Sequence, residues 1–316
     1  MKPPKCFSRV SMALFARVAV ALTLLALTPV GLKAQTTSGD DGKLRIIVFG
    51  AHPDDCELKA GGTAALWAAQ GHHVKFVSVT NGDIGHAEMS GGALAQRRTA
   101  EVQEAAKVLG IESEVLDIHD GELMPTLENR KLFVRLIRQW NADIVIGHRP
   151  NDYHPDHRYT GVLMQDAAFM VTVKFFCPDV PQMAKNPVFL YLSDGFQKPN
   201  PFTPDVIVAI DQVVEKKADA IWKIQSQIES LWATGNFENV VPVPTDPEGR
   251  AQRRRQVRER TVRRDEGVAT KYRAKLNELY GSEKGNAVQC AEAFELCEYG
   301  RQPSADELKT LVPVAQ

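Results

Sequence analysis

From residue 44 onward, short β-rich runs alternate with longer stretches of helical periodicity. Residues 44–49 (LRIIVF), 74–80, 114–118 and 144–147 predict strands, and residues 61–70, 94–109, 127–140 and 157–171 predict the helices that follow them. Gly110 closes the second helix. Strands of mostly apolar character, each separated from the next by a helix, imply parallel βαβ units with helices on both faces of the sheet. Residues 188–192 and 206–210 predict later strands and 213–231 a helix; residues 236–247, rich in Pro and Asn, predict a loop. A charged helical pattern covers residues 249–279, with eleven Lys or Arg between Arg250 and Lys275, and a partly apolar segment returns at 290–299. The expected fold is α/β, a Rossmann-like doubly wound, mostly parallel sheet.

The first 34 residues stand outside that pattern. Lys2, Lys5 and Arg9 lead into an apolar run at 18–30, and Ala34 precedes Gln35 as a small residue before a cleavage point. This is the layout of a secretory signal peptide. The run is shorter than the roughly 20 residues of a membrane span. Cleavage near Ala34-Gln35 implies an exported, periplasmic or secreted chain without a transmembrane anchor. Five basic residues leave with the leader (Lys2, Lys5, Arg9, Arg17, Lys33) and no acidic ones, so 33 basic residues then face 39 acidic ones. A net charge of about −6 argues against a nucleic-acid partner. The expected plan is a leader (1–34), a short linker (35–43), one catalytic domain (44–300) with a charged helical insertion at about 247–285, and a polar tail (301–316). Cys56, Cys177, Cys290 and Cys297 follow the leader. In an exported chain they permit disulfides, Cys290 with Cys297 being one local option, and spacing does not decide the pairing. Interleaved acids among the arginines of 253–264 favour a solvated or subunit-contacting helix over a polyanion site, and a homo-oligomer is compatible with it.

The chemistry is concentrated in two strings, Ala51-His52-Pro53-Asp54-Asp55 and His154-Pro155-Asp156-His157. Taken singly, Asp and Pro are ordinary turn residues. Here each string follows a predicted strand, and with strand order 3-2-1-4 those strands are neighbours at the switch point of the sheet, where ligands bind. Asn81, Asp83, Asp120 and Asp152 fall in loops at the same end. A catalytic zinc takes three His or carboxylate ligands and keeps one position open. His52, Asp55 and one histidine of the second string supply such a set. Asp54 is then placed to take a proton from a water on the metal, the other histidine to serve the developing oxyanion, and Asp156 to orient an imidazole.

The segments GAHPDDCELKAGG, TNGDIG, RTAEVQEAAKVLGI and HRPNDYHPDH resemble the PIG-L/LmbE-type family of zinc-dependent N-deacetylases, over about residues 44–235, with a weaker echo at CAEAF. The resemblance implies zinc (Fe²⁺ is the alternative ion) on His52, Asp55 and His157. It implies Asp54 as general base, His154 as electrophilic or acid partner supported by Asp156, and substrate contacts from Arg98 and Asp120. Asp152 stands where some relatives carry a tyrosine, among the substrate contacts. The implied reaction removes the N-acetyl group of an N-acetylglucosamine-type amino sugar or glycoconjugate. The alternatives are an amidase of a larger sugar or thiol-sugar conjugate, and a metal-dependent carbohydrate-binding protein without turnover.

Overall fold

The computed structural model describes residues 41–314 apart from 231 and 233–238. The leader and most of the linker expected at the N-terminus lie outside the described residues. A seven-stranded sheet runs in the order β3-β2-β1-β4-β5-β7-β6. Its strands are β1 (Arg45–Gly50), β2 (His73–Ser78), β3 (Glu112–Val115), β4 (Ile144–Gly147), β5 (Val188–Leu192), β6 (Val206–Ala209) and β7 (Ala291–Gly300). The first five pair in parallel, as the apolar runs implied. The segment at 290–299, read only as partly apolar, is β7, which enters between β5 and β6 and is antiparallel to both.

Helices α1 (Asp55–Ala69), α2 (Gly91–Leu109), α3 (Leu127–Trp140) and α4 (Pro155–Met170) connect the parallel strands. Alternation along β1 divides the core. Ile46 and Val48 pack with α1 and α2, while Ile47 and Phe49 pack with α3 and α4. The crossovers after β1 and β4 therefore leave toward opposite faces, and a crevice opens between adjacent strand ends. Gly62 lets α1 sit close on the sheet, because a Cβ there would come within 2.8 Å of the Ile210 side chain.

The segment expected as one helix at 213–231 is divided into α5 (Val214–Ile221) and α6 (Gln225–Glu229). The charged pattern is likewise divided into α7 (Pro247–Lys271), α8 (Arg273–Tyr280) and α9 (Ser282–Ala287). Along α7 only Val257, Thr261, Asp265 and Ala269 are buried, a stripe at spacing four that explains why so polar a sequence still packs. That stripe faces the protein's own interior: Lys217 of α5 donates to both oxygens of Asp265 at 2.9 and 2.8 Å and pairs with Glu292 of β7 at 2.8 Å. Glu292 in turn accepts the backbone N–H groups of Gly62 and Thr63 on α1, at 2.9 and 2.7 Å. The stretch expected as a polar tail contains α10 (Ala305–Leu311), whose Leu308 is buried in the main core.

Cys56, Cys177, Cys290 and Cys297 are all buried free thiols. Cys290 and Cys297 flank and occupy one extended strand. At about 3.3 Å per residue they stand far beyond the roughly 7 Å that a disulfide spans.

Candidate metal centre

The chain turns sharply out of β1. The N–H groups of Asp54 and Asp55 donate to the His52 carbonyl at 2.9 and 3.3 Å, and α1 starts at Asp55. Beside it, β4 ends and α4 begins with Pro155 in its first turn, which suits proline's fixed φ. His154 caps α4, its Nδ1 accepting the Asp156 N–H at 3.2 Å. That bond keeps Nδ1 unprotonated, so a neutral His154 carries its proton on Nε2. Burial and the neighbouring His52 and His157 lower its pKa, which favours this neutral form at pH 7.

Two imidazoles and one carboxylate converge from the two turns. His52 Nδ1 lies 3.5 Å from Asp55 Oδ2 and 3.2 Å from His157 Nε2, and His157 Nε2 lies 3.4 Å from Asp55 Oδ2. An ion with tetrahedral bonds of about 2.0–2.1 Å holds its ligands about 3.3–3.4 Å apart, so the triangle has the size of a metal's coordination shell. Each ring also has a carboxylate at its outer nitrogen. Asp120 Oδ1 is 3.0 Å and Asp156 Oδ2 3.5 Å from His52 Nε2, and Asp152 Oδ1 is 3.1 Å from His157 Nδ1. These oxygens lie off the ring N–H directions, making them charge contacts rather than aligned hydrogen bonds. They still favour the proton on the outer nitrogen of each ring, leaving the inner nitrogens as lone-pair donors. With the proton on the outer nitrogen of each ring, two lone pairs and a carboxylate oxygen face one another, and the residues fit a divalent metal ion on this ground.

Without a bound ion, a proton on His52 answers the same negative surroundings. Burial alone would depress the pKa of His52, but Asp120, Asp156 and Asp55 outweigh it and raise the pKa well above the usual value. Asp55, although buried, is held well below the ordinary carboxylate range by His157, His148 and His52. Overlapping groups (His52, His154, His157; Asp55, His148, His157; His52, Asp120, Asp156) also have donor atoms close enough to share an ion. His154 has one nitrogen committed to the helix cap, and Asp120 and Asp156 stand behind His52.

Asp54 adjoins the triangle without joining it. Burial, with the charge of Asp55, raises its pKa, while Arg98 offsets part of the rise from 3.8 Å. Arg98, expected at the substrate, is buried beneath the first turn, where it donates to the carbonyls of Gly82 at 2.9 Å and Pro53 at 3.4 Å. Gly82 has a φ of +67°, and a Cβ there would fall 2.2 Å from the Arg98 guanidinium. Only glycine serves both demands.

The structure brings all nine sequence-selected residues to one strand-end crevice but redistributes the carboxylates. Asp156, expected behind His154, accepts the N–H groups of Gly121 at 2.6 Å and Leu123 at 3.2 Å and faces His52. Asp120 and Asp152, expected at the substrate, have their carboxylates against His52 and His157. Cys56 points its thiol at the Val48 carbonyl, 3.6 Å away in the core. One residue was missed. His148 follows β4, is 2% exposed, stacks on His157 at 4.1 Å and reaches Asp55 Oδ2 at 3.2 Å. Burial pushes its pKa down to about 4, so it is neutral. Its signal was its place directly after a buried strand that ends at the switch point.

Comparison with known proteins identifies the family of the chain. Residues 47–168 match the PIG-L family model, described as GlcNAc-PI de-N-acetylase. The diacetylchitobiose deacetylase of Thermococcus kodakarensis is 33% identical over 201 residues, covering 60% of this chain and 72% of that protein. The 4-oxalmesaconate hydratase of Pseudomonas putida is 27% identical over 198 residues, covering 59% and 74%. Among solved structures, the N,N'-diacetylchitobiose deacetylase from Pyrococcus horikoshii shares the fold with a TM-score of 0.59 at 23% identity, covering 80% of this chain and 83% of that one. This chain belongs to the PIG-L family and is an enzyme of that metal-dependent N-deacetylase group.

Proposed function

We propose that the chain is an exported, zinc-dependent amidohydrolase that removes the N-acetyl group from an N-acetylglucosamine-type amino sugar or glycoconjugate. The observation that carries this reading is the ligand-sized triangle of His52, Asp55 and His157 with a further half-buried carboxylate, Asp54, beside it. A binding site needs the triangle; only turnover needs the extra base. The relatives above and the leader at residues 1–34 support the substrate class and the export.

His52 Nδ1, Asp55 Oδ2 and His157 Nε2 would hold the ion, with Asp120, Asp156 and Asp152 fixing the two rings. When bound, a zinc ion polarises the amide carbonyl and lowers the pKa of a water at its open position. Asp54 accepts the proton of the water that attacks the carbonyl carbon, and burial with the charge of Asp55 makes it a stronger base than an ordinary carboxylate. His154 donates from Nε2 to the carbonyl oxygen as negative charge grows there. As the C–N bond breaks, the proton held on Asp54 passes to the leaving amine, releasing acetate and the free amino sugar.

Acetate release by the metal-loaded mature chain tests this reading, with N-acetylglucosamine, chitooligosaccharides and peptidoglycan fragments as substrates. Turnover that disappears with a chelator and returns with Zn²⁺ is expected. Stoichiometric metal with no acetate from any of these amides would overturn the activity.

A further inference from the structure

A second cavity lies beside the metal centre, on the α7 side. About 310 Å³ in volume, it is lined by Lys59, Ser193, Asp194, Arg264, Lys271 and Tyr272, with Gly267 and Val268 between them. Lys59 is one turn along α1 from Asp55, on the same helix face, where side chains four apart are neighbours. Ser193 and Asp194 follow β5, at the same end of the sheet as the two metal-binding turns.

The wall is unevenly charged. Three cations line it against one carboxylate, and that carboxylate is already answered: Arg149 grips Asp194 in two-pronged fashion at 2.6 and 2.7 Å. The cations are not comparably satisfied. Lys59 has the Ser193 carbonyl at 2.8 Å, and Lys271 lies over the Tyr272 ring at 4.8 Å. Arg264 has no hydrogen bond or ion pair among the described residues, whereas Arg254 and Arg258 of the same helix bind Asp219 and Glu215. The Tyr272 hydroxyl is buried and has no partner among the described residues. A guanidinium and two ammonium groups around one cavity form a donor set for an oxyanion. The acids near Arg264 are first Asp265 and Glu292, then Asp54 and Asp55, and those near Lys59 include Asp55 and Asp152, so the cavity is also within electrostatic reach of the chemistry.

We propose that this cavity is a subsite for an anionic group, a phosphate, sulfate or carboxylate, carried by the amino-sugar substrate whose N-acetyl group lies at the metal centre. The proposal rests on the deacetylase reading for its substrate, but the anion pocket itself is testable without turnover. Arg264 and Lys271 are exposed on α7, so their neutral variants do not disturb the core.

Two measurements test it. In the first, acetate release by the metal-loaded enzyme is compared for N-acetylglucosamine 6-phosphate and N-acetylglucosamine. The wild-type ratio of kcat/KM is expected to favour the phosphorylated sugar by roughly tenfold, the scale of one charged hydrogen bond. Arg264→Gln with Lys271→Gln is expected to bring that ratio to about one. A ratio that is the same in both proteins would overturn the subsite. In the second, glucose 6-phosphate, which has no amide, is titrated calorimetrically into both proteins. Binding weakened about tenfold in the double variant supports the pocket even where no acetate is released, which separates its fate from that of the deacetylase reading. Equal affinity in the two proteins overturns it. Inorganic phosphate binding as tightly as the sugar phosphate would also overturn it, by showing a site for the free anion.

Discussion

Asp54 occupies the N-cap position of α1, where an aspartate ordinarily accepts a backbone N–H of the first turn, yet it makes no such bond. Its carboxylate faces the crevice and Arg98 instead, a local rule broken where function is concentrated. Asp54→Asn preserves the shape and removes the base. Acetate release is expected to fall by roughly 10²–10⁴, with zinc content by elemental analysis unchanged. Undiminished release would remove Asp54 from the role of base. Asp120 acts one step further out, 3.0 Å from His52 Nε2. With Asp120→Asn the ring loses the charge that sets its tautomer. Zinc affinity, measured by competition with a chromogenic chelator, is expected to weaken about 10–100-fold. Unaltered affinity would assign Asp120 to the substrate alone.

At the scale of elements, the buried triad of Lys217, Asp265 and Glu292 ties α5, α7 and β7 together and reaches α1 through Gly62 and Thr63. Lys217→Met leaves two carboxylates buried without their cation, and the loss of stability in chemical denaturation is expected to be about 3–5 kcal/mol. A loss under 1 kcal/mol would show that the carboxylates escape to water, and that the triad does not hold α7. The same elements show what was legible in the sequence. The parallel strands and their helices could be read because each buries a continuous local pattern, and the bounds of α3, β4 and β5 agree with it. β7 was not legible as a sheet strand, because its partners lie about eighty to a hundred and ten residues earlier and nothing local specifies an antiparallel entry between β5 and β6. The two turns of the candidate metal centre stood out because each gathers His and Asp far more densely than a turn needs. His148 did not, because one histidine after a strand looks like a core residue until its stacking on His157 is seen. The contact of Asp120 with His52 joins loops 68 residues apart, and that of Asp152 with His157 depends on the curl of a single loop, and spacing reports neither.

For the molecule as a whole, the residues after β7 were expected to be a polar tail, yet they close the core at the end of α1 remote from the candidate metal centre. Leu308 and Val312 are 6% and 1% exposed, and the Trp67 indole donates to the Leu311 carbonyl at 3.1 Å. Trp67 is twelve residues beyond Asp55 on α1, so at 1.5 Å per residue α10 is anchored roughly 18 Å from the ligand cluster. Stability and chemistry are therefore separable along one helix. Two buried aliphatic side chains are worth about 3–6 kcal/mol, reduced to about 2–5 kcal/mol by residual burial in the unfolded chain. A domain with a stability of about 5–15 kcal/mol survives that loss in weakened form. A chain ended after Gln302 keeps the Arg301 N–H on the Pro187 carbonyl at 2.9 Å and loses α10. Its guanidinium midpoint is expected to fall while its zinc stoichiometry and its kcat for acetate release hold at those of the full chain. An unchanged midpoint would make α10 an appendage. A shortened chain that stays folded but binds zinc substoichiometrically would show that α1 transmits its packing at Trp67 to the ligands at its other end.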